Sequence, residues 1–443
     1  MRFLVVLFVG ILLCTNYAGA FSHGKPNLQN TPVPATFFGM HLVAQSGTFE
    51  TTDFPTWPPT VGSMGKCGLT SWTYIEQSRG TFDWTNLDAC VAVAQAKGVS
   101  VYWTFDGTPR WSTSDTSTCT AGSIGGTYFC GALPTTMTDL TDFVTALVAR
   151  YKGEIAVYDL FNEPQNCCVS GIAAADLVTW ANAIIPIIRA GDPSAKITSP
   201  DFYGGASYFA TYYGDGGPIS VDYLSLHGYP SASCYDVPEA IDAIWGSTTN
   251  PALVTTNLFA YLGVIQQYGM LNIPIWDTEG SWGVNPLLPT GTCGTGSAFT
   301  STQEVMFVSR SQLLHWSNNI QRNYWYAYTT VGTLNTDSPI DQPGVNAAGV
   351  AYAQMQTWMT GAYMTSPCKE SGTVWQCTLT RGSYSAIAVW DMGTLGYNGS
   401  SSFNVPGGYV DYCDTAGTFH GSLGATVTIT GAPILFETSR LAC

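Results

Sequence analysis

The stretch Ile-Ala-Val-Tyr-Asp-Leu-Phe-Asn-Glu-Pro, residues 155–164, decides the fold of this chain. Its apolar run is interrupted only by Asp159, and a run of this kind is typical of a β-strand. Pro164 cannot continue a strand, because its ring removes the backbone donor. We therefore expect the strand to end at Asn162 and Glu163, with the carboxylate held at the strand end.

The same order of features recurs from about residue 36 to about residue 363. Each repeat has a short apolar run, a loop rich in Gly, Pro and Trp, and an amphipathic stretch. Strands are predicted at 37–41, 100–105, 155–161, 196–199, 223–227, 273–278 and 323–328, with an eighth between 61 and 72. Helices are predicted at 87–97, 140–151, 174–190 and 302–318, where apolar residues recur at three and four. Eight such units favour an α/β fold of the (β/α)8 TIM-barrel type, and an open doubly wound sheet is the alternative.

The pattern changes after Pro367, where alternating strands follow one another without helices. Strands are predicted at 374–379, 385–391, 408–412, 426–430 and 433–437, and a turn is predicted at 399–402. We therefore expect two domains, a TIM-barrel domain at 21–365 and a small antiparallel, β-sandwich-like accessory domain at 366–443.

The first twenty residues have the features of a secretory signal peptide. Arg2 is followed by an apolar run at 3–13 and by the small residues Ala18-Gly19-Ala20. A membrane anchor is the alternative, but it needs about twenty apolar residues. We expect a secreted, extracellular protein.

The number of cysteines is consistent with an exported protein. Of the 13 cysteines, 12 remain after Cys14 is removed with residues 1–20, and an even number suits an oxidising compartment. The pairs Cys119/Cys130 and Cys368/Cys377 are spaced as local loop disulfides. The sequence has no paired CxxC motifs or histidine clusters, so neither a metal nor a cofactor is expected.

The charge balance limits the partners. The formal charge is −15 and the sequence pI is about 4.5, which argues against nucleic acid, an anionic membrane surface or a polyanionic glycan. Only 10% of residues are charged and 13% are aromatic. This composition suits a protein whose partner is a neutral oligo- or polysaccharide, and it equally suits an acid-adapted secreted protein with no such partner. We expect a monomer.

Two glutamates stand at predicted strand ends, Glu163 and Glu279. Strict alternation along the strand that ends near Glu279 puts the side chain of Asp277 on the same side as that of Glu279. A single such glutamate is commonly only a solvated residue or a cap. Cleavage of a glycosidic bond, however, requires two carboxyl groups, and the end of a barrel strand is where catalytic groups converge.

Both segments resemble the clan A glycoside hydrolases. Phe161-Asn162-Glu163-Pro164 resembles the acid/base motif of that clan, and Trp276-Asp277-Thr278-Glu279 resembles its nucleophile segment. Residues 72–76, 80–84 and 107–111 are similar to segments of the family 39, β-xylosidase-like group. The arginine that this group carries on the second strand is replaced here by Gly65, with Lys66 adjacent.

The resemblance implies a retaining double displacement with Glu279 as nucleophile and Glu163 as general acid/base. It also implies that four further residues bind the sugar or orient the nucleophile: Asn162, His227, Tyr229 and Trp325.

Three more residues are candidates for substrate contact from their positions next to strand ends. They are Trp111, Trp282 and His41. Hydrolysis of a β-linked neutral glycan is the leading hypothesis. The alternatives are a non-catalytic carbohydrate-binding protein on the same scaffold and a transglycosylase, which would use the same two glutamates.

Overall fold

A computed structural model describes residues 28–41, 63–64, 69–122, 126–165, 171–203, 206–228, 237–239, 258–280, 300–326, 340–341 and 344–443. Its central element is an eight-stranded parallel sheet. The strands are β1 (Phe38–Met40), β2 (Ser63–Met64), β3 (Ser100–Thr104), β4 (Ile155–Asp159), β5 (Lys196–Thr198), β6 (Leu224–Leu226), β7 (Ile275–Gly280) and β8 (Ile320–Trp325). The predicted residues 1–20 of the signal peptide lie outside the described ranges.

The strands are arranged in the order β5-β4-β3-β2-β1-β8-β7-β6. Every neighbour is therefore consecutive in the chain, apart from the first and last strands, which pair with each other. A doubly wound sheet would instead reverse its order at a switch point. The two edge strands are also joined, since parallel bridges connect Thr198 to Tyr223 and Phe202 to Leu226.

Helices follow most of these strands. They are α1 (Trp72–Ile75), α2 (Thr85–Lys97), α3 (Met137–Arg150), α4 (Ala174–Gly191), α5 (Ala206–Gly214), α6 (Leu258–Gln267), α7 (Ser301–Ser317) and α8 (Ala347–Met359). The predicted helices are confirmed to within a few residues. Within the described ranges, none of these helices has the length and apolar character needed to cross a membrane.

Local sequence explains how several helices begin, end and pack. α2 ends at Gly98, which adopts a left-handed conformation with φ of 66°, as glycine does at helix ends. α7 begins with a capping box between Thr300 and Gln303. In α3 the buried residues Leu140, Val144 and Leu147 recur at the helical spacing and pack into the main core.

Short extra strands also occur within this part of the chain. Three form a small antiparallel sheet in the cysteine-containing loop after β3, and two pair just before α8. Their bounds are Thr108–Pro109, Cys119–Ala121, Tyr128–Cys130, Ile340–Asp341 and Gly344–Val345.

The C-terminal part is antiparallel, as predicted. It contains β9 (Lys369–Ser371), β10 (Val374–Arg381), β11 (Tyr384–Asp391), β12 (Ser400–Asn404), β13 (Asp411–Cys413), β14 (Phe419–Gly421), β15 (Thr426–Thr430) and β16 (Ile434–Glu437). Six of them form one sheet in the order β9-β10-β11-β16-β13-β14, and β12 pairs with β15. Phe403 of β12 stacks on Phe436 of β16, so the strand pair covers one face of the sheet. The other face belongs to the main core.

A buried ion pair between helix α7 and the loop after β6 also contacts the C-terminal antiparallel sheet. The guanidinium of Arg310, on α7, lies 3.0 Å from Glu239 Oε1 and donates to the carbonyl of Gly396 at 2.8 Å. Trp390 Nε1 of β11 donates to the same Glu239 oxygen at 2.6 Å. Burial lowers the pKa of Arg310, and the Glu239 carboxylate opposes that shift.

One local prediction is wrong and another differs in its bounds. The strand predicted at 323–328 begins earlier and is observed at Ile320–Trp325, where its backbone pairs with β1 and β7, and residues 327–328 lie outside the described ranges. The turn predicted at 399–402 is occupied by β12, because Ser400–Asn404 pairs along its whole length with β15.

The two predicted disulfides, Cys119–Cys130 and Cys368–Cys377, are confirmed. A third disulfide joins Cys413 to Cys443, and Cys90 is also disulfide-bonded.

Candidate active site

Glu163 lies just beyond β4, at the carboxyl end of the strand, as predicted. The backbone leading to it is fixed, since Asn162 donates its N–H to the carbonyl of Phe105 at 2.7 Å and forms a parallel bridge with Asp201. Glu163 itself has a φ of 40°, in the left-handed region that glycine favours. The residue is 9% exposed.

Glu279 lies near the end of β7, and its surroundings differ from strict alternation. The pairing of β7 with β8 shifts register between Asp277 and Gly280. Asp277 contacts His315 on α7, at 2.7 Å from Nε2 to Oδ2, and accepts the Gly228 N–H at 3.0 Å. The expectation that the side chains of Asp277 and Glu279 lie on the same side of the strand is therefore wrong, because the irregular pairing breaks the two-residue alternation.

His227 connects the two glutamates. Its Nδ1 lies 2.6 Å from Glu163 Oε1, and its Nε2 lies 3.9 Å from Glu279 Oε2. One oxygen of each glutamate and one nitrogen of His227 all lie within 4.8 Å of one another. The imidazole is fully buried, whereas the two glutamate side chains are 11% and 13% exposed. The carboxylates are thus the part of this cluster that meets solvent.

A buried polar cluster lies beneath the two glutamates, centred on Asp201. Asp201 Oδ1 accepts hydrogen bonds from Tyr102 Oη at 3.0 Å, from Thr278 Oγ1 at 2.8 Å and from Ser225 Oγ. Its Oδ2 lies 3.1 Å from His227 Nε2. Burial raises the pKa of Tyr102 well above its usual value, and the carboxylates of Asp159 and Asp201 add to the shift, so this phenol stays protonated.

Sequence reasoning missed Asp201, although one signal pointed to it. The residue follows β5 in the segment Ser199-Pro200-Asp201, which is the same position after a strand that drew attention to Glu163. The hydroxyl partners of Asp201 come from three other strands, so the cluster could not be read from spacing.

His41 supports the strand that carries Glu279. It is fully buried, and its Nε2 lies 2.6 Å from the carbonyl oxygen of Thr278, the residue before Glu279. The structure therefore places His41 next to the segment that carries Glu279, through a backbone carbonyl.

The predicted aromatic residues lie in different environments. Trp325 ends β8 and is 2% exposed, within the main core. Trp111 is half-buried and donates from Nε1 to the carbonyl of Glu76 at 2.6 Å. Tyr229, Trp282 and Lys66 lie outside the described residues.

Glu163, His227 and Glu279 carry donor atoms that a metal ion could use. Two ligands of one tetrahedral zinc ion lie about 3.3 Å apart, as follows from bond lengths of about 2.0–2.1 Å. His227 Nδ1 and Glu163 Oε1 are closer than that, at 2.6 Å. This distance fits a direct hydrogen bond between them better than a shared ion.

Comparison with known proteins agrees with the sequence resemblance. The family model "Glycosyl hydrolase family 10" matches residues 61–170, a range that includes Asn162, Glu163 and Pro164.

Solved structures match most of the chain. One is a family 39 glycoside hydrolase from the gut symbiont Bacteroides cellulosilyticus WH2, with a TM-score of 0.66 at 12% identity, covering 93% of this chain and 82% of that one. A GH30 endoxylanase from Clostridium papyrosolvens C71 has a TM-score of 0.57 at 15% identity, covering 92% and 97%. A glucosidase from Croceicoccus marinus has a TM-score of 0.58 at 12% identity, also covering 92% and 97%. At these identities the likeness shows a shared fold, the fold of clan A glycoside hydrolases.

Proposed function

We propose that this chain is a secreted, retaining glycoside hydrolase that cleaves β-linked neutral glycans, with Glu163 as general acid/base and Glu279 as nucleophile. The eight parallel strands would form a closed (β/α)8 barrel. Support for closure comes from the cyclic strand order and from the bridges between β5 and β6. Glu163 follows β4 and Glu279 lies near the carboxyl end of β7, and this end of the strands is where barrel enzymes carry their catalytic groups.

The observation that carries the proposal is the separation of the two carboxylates. Oxygen atoms of Glu163 and Glu279 lie within 4.8 Å of each other. Retaining glycosidases hold their carboxyl groups about 5–5.5 Å apart, whereas inverting enzymes need about 6.5–9.5 Å to admit a water molecule. The close approach of these two oxygens is compatible with the retaining spacing and supports direct attack by one carboxylate.

In the first step, a Glu279 oxygen attacks the anomeric carbon while the bond to the leaving oxygen breaks. Glu163 donates its proton to that oxygen, so the aglycone leaves as a neutral alcohol and a glycosyl ester remains on Glu279. In the second step, Glu163 accepts a proton from water as the water oxygen displaces Glu279. The sugar leaves with its original configuration, and Glu163 is protonated again.

The other predicted site residues complete the proposal. Asn162 would hydrogen-bond the sugar 2-hydroxyl, Tyr229 would orient the sugar, and Trp111 and Trp282 would provide aromatic contact surface. The sequence resemblance implies the same for Trp325, but at 2% exposure it offers almost no surface for a sugar to stack on. His41 and His227 would act by holding the nucleophile strand and the acid/base. The net charge of −15 supports a neutral substrate, and the disulfides support secretion.

The experiment is a comparison of Glu163→Gln and Glu279→Gln on neutral polysaccharides and aryl β-glycosides. Glu163→Gln loses the general acid, and its turnover of substrates with poor leaving groups is expected to fall about 10²–10⁴-fold. Glu279→Gln loses the nucleophile, and its turnover is expected to be abolished. Glu154→Gln is the matched control, because Glu154 is exposed and precedes β4 at the opposite end of the strand from Glu163.

Proton NMR of the first product formed then reports the mechanism. A retained anomer is expected, and an inverted anomer would contradict the assignment of Glu279. If either glutamine variant turned over substrate at close to the wild-type rate, the catalytic role assigned to that glutamate would be wrong. Binding without turnover by the wild type would favour a sugar-binding protein, and preferential transfer to added sugar would favour a transglycosylase.

A further inference from the structure

The imidazole of His227 is enclosed by three carboxylates. Glu163 Oε1 lies 2.6 Å from Nδ1, Asp201 Oδ2 lies 3.1 Å from Nε2, and Glu279 Oε2 lies 3.9 Å from the same Nε2. Nδ1 therefore lies within hydrogen-bond distance of one carboxylate, Nε2 lies within ion-pair distance of two more, and the ring is fully excluded from solvent. A neutral imidazole would carry no positive charge to offset these carboxylates.

The Asp201 carboxylate is suited to remain ionised although it is fully buried. Three hydroxyl groups donate to Oδ1, those of Tyr102, Thr278 and Ser225. Hydrogen bonds to the charged form of a buried carboxylate stabilise that form. All three contacts are made to Oδ1, and the other oxygen, Oδ2, is the one that lies 3.1 Å from the histidine.

We propose that Asp201 is a positioning residue that holds His227 as an imidazolium between Glu163 and Glu279. This inference rests on the proposed function for its catalytic meaning, although the charge state can be tested without it. The Nδ1–H of the imidazolium occupies Glu163 Oε1, so the proton that Glu163 transfers must be carried on its other oxygen, Oε2. Asp201 thus fixes which oxygen of the acid faces the leaving group.

The charge also balances the site during the reaction. Before attack, Glu279 is anionic and one positive charge lies 3.9 Å from its Oε2. When Glu163 gives up its proton, a second anion forms at 2.6 Å from Nδ1. An imidazolium held by Asp201 stabilises both anions in turn, whereas a neutral ring would stabilise neither to the same extent.

Imidazole ¹⁵N NMR on the uniformly labelled full chain tests the charge state directly. The chain has five histidines, and His227→Gln assigns the signal. In the wild type, His227 is expected to remain doubly protonated at pH 7. In Asp201→Asn its midpoint is expected to fall by about 1–3 pH units, the usual effect of removing an opposite charge at this distance.

Asp192→Asn is the matched control, because it also removes a buried carboxylate but one that accepts from Gly153 and Ser194. In Asp192→Asn, the pH midpoint of the His227 titration should match that of the wild type. A neutral His227 at pH 7 in the unmodified protein overturns the proposal, even if Asp201→Asn fails to fold. An unchanged midpoint in a folded Asp201→Asn variant also overturns it.

A kinetic measurement separates positioning from a purely structural role. With aryl β-glycosides of increasing leaving-group pKa, taken from the same neutral-sugar panel, Asp201→Asn is expected to lose more kcat/KM on poor leaving groups, about 10-fold or more, because only these need the acid. An equal loss on all leaving groups would indicate general damage and contradict the positioning role. Absence of turnover by the wild type would instead count against the proposed function, while the NMR result would still decide the charge of His227.

Discussion

The buried ion pair between Arg310 and Glu239 allows a quantitative test of how the C-terminal sheet is attached. Arg310 is fully buried and Glu239 is 3% exposed. In Glu239→Gln the volume is kept but the guanidinium loses its counter-charge. Removing one partner of a buried pair typically costs about 3–5 kcal/mol. Arg310 keeps its carbonyl partners at Gly396 and Met306, so we expect about 3 kcal/mol, the lower end of that range.

The assay is equilibrium unfolding in urea, followed by tryptophan fluorescence and far-UV circular dichroism. A double variant, Glu239→Leu with Arg310→Met, should lose less stability than Glu239→Gln, since no uncompensated charge remains. Asp88→Asn is the matched control, because the Asp88–Arg150 pair is shorter, at 2.6 Å, but more than 40% exposed on both sides. For such an exposed pair about 0–1 kcal/mol is expected. A cost below about 1 kcal/mol for Glu239→Gln would refute the reasoning.

Two further predictions concern the site and the disulfides. In Gly228→Ala the new Cβ would lie 2.1 Å from Asp277 Oδ2, so we expect displacement of the loop that carries His227 and a large loss of kcat. The control is Gly263→Ala, which should stay fully active because, among the described residues, no atom outside its own helix lies within 4 Å of the new Cβ. Equal activity of the two variants would contradict this reasoning. Replacing Cys413 and Cys443 by serine opens a 30-residue separation and should lower the free energy of unfolding by about 3.6 kcal/mol, against about 2.6 kcal/mol for the 9-residue separation of Cys368 and Cys377. Urea unfolding of both double variants checks this order, and a larger loss for the shorter loop would contradict the chain-entropy argument.

The sequence predicted those features that depend on local pattern. Apolar runs identified the parallel strands, and the change of pattern after Pro367 identified the antiparallel part. The motif ending at Pro164 identified Glu163, which the structure brings close to Glu279 and His227.

Features that depend on distant pairing could not be predicted in the same way. Ser400–Asn404 has no apolar alternation that would mark it as a strand, and it forms one because β15 supplies its partner. The side chain of Asp277 turns to His315, which lies 38 residues further along the chain. The hydroxyl partners of Asp201 likewise come from other strands, and the pairing of strands that are distant in the sequence brings them together.

The left-handed backbone at Glu163 has a consequence for directed evolution. A non-glycine residue with φ of 40° costs of the order of 1–3 kcal/mol, and glycine at this position would remove that cost. A library of variants sorted only for heat resistance should therefore enrich glycine at position 163 and accumulate inactive clones. Thermostabilisation campaigns on this scaffold need a turnover screen at every round.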